Sequence, residues 1–334
     1  MKIALTGIKP TGTPHLGNYL GMIQPSLELA RRYEALYFIA DYHALTSVRD
    51  GREVHDLSYE AAATWLALGL DPERSALYRQ SDVPEVCELT WILFCSTAKG
   101  LLNRAHAYKA AVEENLRQDR DPDAGVNAGL YNYPVLMAAD ILFPAADLVP
   151  VGLDQKQHVE IADDIASAFN ATYGPILTIP EAIIDERVMT IPGVDGRKMS
   201  KSYNNVIPIL APPNVLRKAV MRIKTDSRPP EEPKDPEENT IFHLFRYLAP
   251  EPAVASMRDR FRQGGLGYGQ AKEELFQCLD DLFREPRERY EELLANREEI
   301  DRILLAGAEK VRERGSPILA RVREAVGARK YAPA

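Results

Sequence analysis

The sequence contains few cysteines and no long apolar run. Its 334 residues include three cysteines, Cys87, Cys95 and Cys278, an odd number without the spacing of a metal-binding motif. This count argues against a disulfide framework and against a structural zinc site. The apolar run at the N-terminus is too short for a signal peptide, and no later run reaches the roughly 20 residues that cross a membrane. We therefore expect a cytoplasmic protein whose thiols are reduced.

The sequence also lacks a recognisable Ser-His-acid set and any cluster of metal ligands, so metal-dependent or triad hydrolysis is not expected. Its net charge of -8 argues against simple nonspecific binding of nucleic acid. The acidic excess lies in residues 1–204, whereas the charges after residue 204 are nearly balanced. An RNA would therefore sit more easily on the C-terminal part, where its phosphates meet less repulsion.

Strand-like and helix-like patterns alternate over the first two-thirds of the chain. Short apolar runs predict strands at residues 2–7, 36–40, 76–79 and 148–152. Amphipathic or apolar periodicity predicts helices at residues 15–33, 54–70, 130–143 and 154–173. This alternation predicts an α/β fold with a Rossmann-like parallel sheet over residues 1–205, interrupted by a helical insertion at about 81–128. The helical pattern after residue 215 predicts an all-α C-terminal domain at residues 206–334.

A phosphate-binding pattern follows the first predicted strand. A turn rich in glycine, proline and threonine leads into His15-Leu16-Gly17-Asn18 at a helix start. The backbone N–H groups of a helix start attract anions, and His15 and Asn18 can both donate to phosphate oxygens. Gly17 leaves room for a flat base to approach. The simpler interpretation is an ordinary helix start with incidental polar residues.

A cationic stretch near residue 200 is a second candidate for nucleotide binding. Lys198-Met199-Ser200-Lys201-Ser202 places two lysines three residues apart, in a polar segment that can neither bury an apolar face nor continue a strand. Both ammonium groups could contact a nucleotide triphosphate. For the two lysines alone, a solvated basic loop is the alternative.

A third pattern joins a strand, a glycine and a helix start at residues 149–158. Asp154 or Gln155 could hold a ribose hydroxyl or an α-ammonium group, and Gly152 would admit the ligand to the end of the strand. Capping of the helix by Asp154 is the alternative.

Together these segments resemble the class I aminoacyl-tRNA synthetases and, within that family, its tryptophan-specific branch. The resemblance covers nearly the whole chain and implies activation of L-tryptophan by ATP, with Mg²⁺ carried on the ATP, followed by charging of tRNA(Trp). It also implies a homodimer formed through the nucleotide domain and anticodon binding by the helical domain.

The resemblance also assigns individual residues. The catalytic residues it implies are His15, Asn18, Lys198 and Lys201. The ATP contacts it implies are Lys9, Pro10, Thr11, Gly17, Asn18, Gly152, Leu153, Asp154, Val188, Lys198, Met199, Ser200, Lys201 and Ser202. The tryptophan contacts it implies are Asp140, Tyr133, Met137, Val149, Val151, Gln155 and His43. The chain departs from the pattern of many members at Lys9, Leu153 and Ala111.

Asp140 is the residue that we expect to select tryptophan. Tyr133, Met137 and Asp140 are spaced four and three residues apart, so they form one stripe on the predicted helix. A carboxylate at the end of an apolar stripe needs a donor, and the indole N–H, which cannot accept, would supply one. Satisfaction by a nearby arginine or backbone N–H is the alternative.

Two other function classes stay open. A nucleotidyltransferase that activates another small carboxylic acid without tRNA would share both phosphate motifs, and a tRNA-charging assay separates the two. A non-catalytic RNA-binding paralogue is disfavoured because both lysines, His15 and Asn18 are present.

Overall fold

Five parallel strands form one sheet in the computed structural model, which describes residues 1–10, 12–152, 155–184 and 191–328. Its strand order is β3-β2-β1-β4-β5, so the predicted Rossmann-like α/β fold is confirmed. The strands are β1 (Ile3–Ile8), β2 (Glu34–Ile39), β3 (Ala76–Arg79), β4 (Leu148–Pro150) and β5 (Glu181–Ile183). The sequence did not reveal β5, because this strand has three residues and none is fully buried.

Helices occupy most of the chain between and after the strands. Those of the first two-thirds are α1 (Leu16–Asn18), α2 (Gln24–Leu29), α3 (Asp41–Ala44), α4 (Gly51–Ala67), α5 (Glu85–Phe94), α6 (Lys99–Leu102), α7 (His106–Arg117), α8 (Ala128–Leu142) and α9 (Lys156–Tyr173). Those of the C-terminal part are α10 (Pro213–Met221), α11 (Thr240–Leu248), α12 (Glu251–Gln263), α13 (Tyr268–Ala295) and α14 (Arg297–Ala325). The insertion predicted between β3 and α8 thus contains α5, α6 and α7.

The helix predicted at residues 15–33 is not continuous. A π-helical segment, Tyr19–Ile23, separates α1 from α2, and the chain leaves the helix after Leu29. Pro25 lies in the first turn of α2. A proline has no N–H to donate and its ring crowds the carbonyl four residues back, so the turn before it widens.

Two hydrophobic cores lie on the two sides of the sheet, and both include C-terminal residues. One joins the α4 side of the sheet to α10–α13, and the other includes Ala308 and Val311 of α14. Helix α14 lies against the backbone of the edge strand β3. A methyl group on Gly307 would be 2.0 Å from the carbonyl oxygen of Leu77, so this approach requires glycine. The division at residues 205 and 206 stays a prediction, and the two parts share both cores.

Ion pairs join α14 to the first part of the chain. Arg312 contacts Glu85 at 2.7 Å and Asp301 contacts Arg79 at 2.8 Å. Arg314 also pairs with Glu34. Over the described residues, no helix is long and apolar enough to cross a membrane.

Candidate active site

Most of the predicted site residues follow the carboxyl ends of three neighbouring strands, and an additional residue follows a fourth. The His15 motif follows β1, His43 follows β2, and Val151 follows β4. Gln80, which the sequence analysis did not single out, follows β3. Strand β1 pairs with β2 on one side and β4 on the other, so the chain reverses its winding direction at β1. This switch point is where open parallel sheets bind their ligands.

His15 and Asn18 hold each other at the start of α1. The backbone N–H of Asn18 donates to His15 Nδ1 at 3.2 Å, and the backbone N–H of His15 donates to Asn18 Oδ1 at 3.1 Å. Burial, and then the nearby charge of Lys201, lowers the pKa of His15 to about 4. His15 is therefore neutral at pH 7, with its proton on Nε2 because Nδ1 is an acceptor. The reciprocal cap thus presents two donor groups, His15 Nε2–H and the Asn18 amide.

The cationic stretch Lys198–Ser202, here called the lysine loop, lies directly on this helix start. The backbone N–H of Leu16 donates to the carbonyl of Ile207 at 2.9 Å, and that of Gly17 approaches Met199 Sδ at 3.3 Å. Met199 is buried, and His15 forms an isolated antiparallel bridge with Pro208. The His15–Asn18 and Lys198–Ser202 motifs, which lie 180 residues apart in the sequence, therefore pack together and form one continuous surface.

Lys201 extends across the turn after β1. A methyl group placed on Gly12 would be 3.4 Å from Lys201 Nζ and 3.9 Å from Glu60 Oε2. Partial loss of water around the ammonium group lowers the pKa of Lys201, and the carboxylate of Glu60 opposes that change. Lys198 and Ser202 are exposed on the same loop.

Asn205 holds the lysine loop in place, and the sequence analysis did not assign it a role. Its side chain is buried and accepts from the Ser200 N–H at 2.8 Å. Its amide donates to Lys198 O at 3.0 Å and to Asp195 Oδ1 at 2.7 Å. A methyl group on Gly193 would be 2.4 Å from this amide, so glycine is required there. The hydrogen bond from Asn205, and then the contacts with Arg197, lower the pKa of Asp195 to about 2.

Asp140 is buried on α8 and accepts from two side chains. His43 Nε2 lies 2.9 Å from Asp140 Oδ2. Gln80 Nε2 donates to both carboxylate oxygens, at 2.8 and 2.9 Å. The sequence suggested an arginine or backbone N–H as the alternative partner of Asp140, and the side chains of His43 and Gln80 occupy that position instead. Burial raises the pKa of Asp140, and the hydrogen bonds oppose that rise.

The stripe on α8 continues away from Asp140 towards Tyr133. The Tyr133 hydroxyl lies 3.0 Å from His158 Nε2, and its ring centroid is 6.2 Å from that of His43. Burial raises the pKa of Tyr133 to about 12. Met137 and Val151 are half-buried against the second core. His43, Tyr133 and Asp140 are thus brought together as predicted, with His158 as an additional neighbour.

The remaining predicted residues that the structure describes lie in β4 or shortly after β1 and β4. Val149 is buried in β4, and Pro10 is buried after β1. Gly152, Gln155 and Lys9 are exposed. The residues predicted to contact ATP that lie outside the described part of the chain are Thr11, Leu153, Asp154 and Val188. Among the described residues, no group of three His, Cys, Asp or Glu is arranged to hold a metal ion.

Comparisons with known proteins agree with this geometry. The family model for tRNA synthetases class I (W and Y) matches residues 2–284. The tryptophan–tRNA ligase of Pseudomonas aeruginosa is 54% identical over 330 residues, covering 97% of this chain and 73% of that protein. The structure of tryptophanyl-tRNA synthetase from Campylobacter jejuni, complexed with ADP and tryptophan, matches with a TM-score of 0.90 and 43% identity, covering 97% of this chain and 99% of that one. The enzyme from Mycoplasma pneumoniae matches with a TM-score of 0.78 and 30% identity, covering 98% of both chains.

Proposed function

The chain belongs to the class I aminoacyl-tRNA synthetases for tryptophan and tyrosine, and we infer that it activates L-tryptophan with ATP and transfers it to tRNA(Trp). The observation that carries the tryptophan assignment is the buried carboxylate of Asp140 at the carboxyl edge of the sheet. An ionised carboxylate only accepts hydrogen bonds, and the indole N–H only donates them. His43 and Gln80 fill three of the roughly four acceptor positions of its two oxygens, and phenylalanine would leave the remaining position without the donor that the indole N–H supplies.

In the first step, the tryptophan carboxylate attacks the α-phosphorus of ATP. The bond to the bridging oxygen breaks, pyrophosphate leaves, and tryptophanyl-adenylate forms. The attacking carboxylate is already ionised, so the step needs no general base. Catalysis then consists of positioning the reactants and stabilising the charge that moves to pyrophosphate.

The chain supplies cationic and neutral donors for that charge. His15 Nε2–H and the Asn18 amide would donate to phosphate oxygens at the start of α1. Lys198 and Lys201 would neutralise the leaving pyrophosphate, with Mg²⁺ carried on the ATP. The docking of Met199 on Gly17 supports joint action of the two motifs.

In the second step, the 3′-terminal ribose of tRNA(Trp) attacks the adenylate carbonyl, forming the ester and releasing AMP. We place the anticodon on the helical part, residues 206–334, whose charge is nearly balanced. ATP and tRNA are cytoplasmic substrates, so the proposed location is the cytoplasm.

We also propose a homodimer formed through the nucleotide domain. Trp91 on α5 is 70% exposed, Cys87 is exposed one turn before it, and Cys95 is exposed directly after the helix ends. Large exposed aromatics are enriched at protein–protein interfaces.

Pyrophosphate exchange with each of the twenty amino acids tests the proposal. We expect exchange with tryptophan, followed by charging of tRNA(Trp). The Asp140→Ala variant should lose most of this exchange and show a smaller preference over phenylalanine, with little change in the KM for ATP. Exchange with another amino acid instead, or unchanged discrimination in the variant, would refute the assignment.

A further inference from the structure

Gln80 is a buried polar residue that the proposed reaction does not otherwise use. It lies directly after β3 and has no solvent exposure. Its Nε2 donates to both oxygens of Asp140, whereas its Oε1 is buried without a hydrogen-bond partner among the described residues. Turning the amide over would place Oε1 against the carboxylate. The contact with Asp140 therefore fixes the amide, although its oxygen is left unsatisfied.

Asp41 braces the segment that carries Gln80. Asp41 Oδ1 accepts from the backbone N–H of Ser81 at 3.1 Å, and its other oxygen accepts from the Ser81 hydroxyl. Asp41 also accepts from the backbone N–H of Tyr42 at 3.0 Å, in the first turn of α3. Helix α3 carries His43, the second partner of Asp140. One carboxylate thus ties together the two segments that hold Asp140.

The proposed function assigns the indole N–H of tryptophan to Asp140. On that basis we propose that Gln80 is a positioning residue for tryptophan specificity, which keeps the Asp140 carboxylate ionised and oriented towards the indole N–H. A carboxylate held by donors on both sides cannot rotate and presents one fixed acceptor direction. Without Gln80, His43 alone would hold it through one oxygen. The carboxylate would then rotate more freely and take up a proton more readily.

The charged and titratable groups around Asp140 are few. His43 contacts it from α3, and Asp41 opposes its ionisation from the same helix. Burial raises the pKa of Tyr78 on β3 and of Cys87 on α5, and the negative charge of Asp140 adds to both shifts. Gln80 donates to Asp140 through a neutral amide, whose donor group does not change with pH.

The test replaces Gln80 by methionine, which has a similar length and no donor. We expect kcat/KM for tryptophan in pyrophosphate exchange to fall by about 10- to 100-fold, mainly through KM, as for loss of a hydrogen bond to a charged group. The KM for ATP should stay within about twofold. The KM for tryptophan should also rise more steeply than in the wild type as the pH falls, because Asp140 is protonated at a higher pH.

Arg79→Met is the matched control, because it changes the preceding long polar side chain in the same way. Arg79 contacts Asp82 and Asp301, away from Asp140. We expect wild-type KM for tryptophan and a wild-type pH profile. An equal effect of the two substitutions, or an unaffected Gln80→Met variant, would overturn the proposal in favour of a structural role.

Gln80→Glu serves as a second variant that keeps the side-chain length if Gln80→Met fails to fold. Two adjacent buried carboxyls share one proton, so this variant keeps a donor at low pH and loses it as the pH rises. Its KM for tryptophan should therefore rise with pH, opposite to Gln80→Met. A pH-independent KM overturns the proposal. A wild type inactive with tryptophan would overturn the proposed function as well, whereas an active wild type with unaffected variants overturns the inference alone.

Discussion

Replacing Asn205 by alanine is expected to slow adenylate formation without weakening tryptophan binding. Asn205 makes three hydrogen bonds, with the Ser200 N–H, the Lys198 carbonyl and the Asp195 carboxylate. All three partners belong to the lysine loop or to the turn that leads into it. The variant would remove the contacts that fix this loop over α1.

The magnitude follows from the number and exposure of these bonds. Each neutral hydrogen bond contributes about 1 kcal/mol and the one to Asp195 about 2 kcal/mol. Lys198 is exposed and Ser200 is half-buried, so water can replace some of the hydrogen bonds that the variant loses. The net loss is then about 2 kcal/mol. If this free energy is lost from the loop position that acts in catalysis and not from the rest of the fold, kcat decreases roughly 30-fold.

The assay is tryptophan-dependent pyrophosphate exchange, with thermal unfolding measured in parallel. Asn204→Gly is the matched control, because Asn204 is exposed and has a positive φ of 50°, which glycine adopts readily. We expect the control to keep its kcat and both variants to keep their KM for tryptophan. An unchanged kcat for Asn205→Ala, or an equal decrease in the control, would show that Asn205 does not position the loop.

Two further predictions concern pH and assembly. The pKa of His15 is about 4 in the fold against an ordinary 6.5, so the unfolded chain binds its proton first and stability is lost as the pH falls from 6.5 towards 4. The free energy of unfolding of the wild type, measured by urea unfolding, should fall over that range by up to roughly 3 kcal/mol more than that of His15→Asn, which keeps a capping oxygen. The same pH dependence in both proteins would contradict this. Trp91→Glu should convert a dimer into a monomer in analytical ultracentrifugation, whereas Leu282→Glu, which alters an exposed residue of α13, should not. A monomeric wild type or an unaffected variant would contradict the proposed dimer.

The sequence predicted the strands with strong apolar runs and the motifs with distinctive side chains. β3 was placed at its observed bounds because its first three residues are apolar and follow a clear turn. β5 was missed because a three-residue strand gives no periodic signal. Local patterns also showed that Asp140 needs a donor, but they could not identify which one. Gln80 lies 60 residues away, and its contact with Asp140 depends on the pairing of β3 with β2.

Asn205 was missed for a similar reason. Its three hydrogen bonds all lie within ten residues, yet asparagine after a polar loop usually indicates only a turn. Its side chain packs against Gly193, and the neighbouring Ile207 docks on α1 through a long-range contact that no local pattern contains. The residues that the sequence assigned to ATP and to tryptophan stay predictions.

The contact between α14 and β3 has a consequence for synthesis of the chain. β3 is an edge strand, and an uncovered edge can pair with other chains. Residues 76–79 leave the ribosome more than 200 residues before Gly307, the residue that covers them. Throughout that interval the nascent sheet keeps an open edge, and a prematurely terminated chain keeps it permanently. Helix α14 can therefore close this edge against aggregation only after residue 307 has been translated.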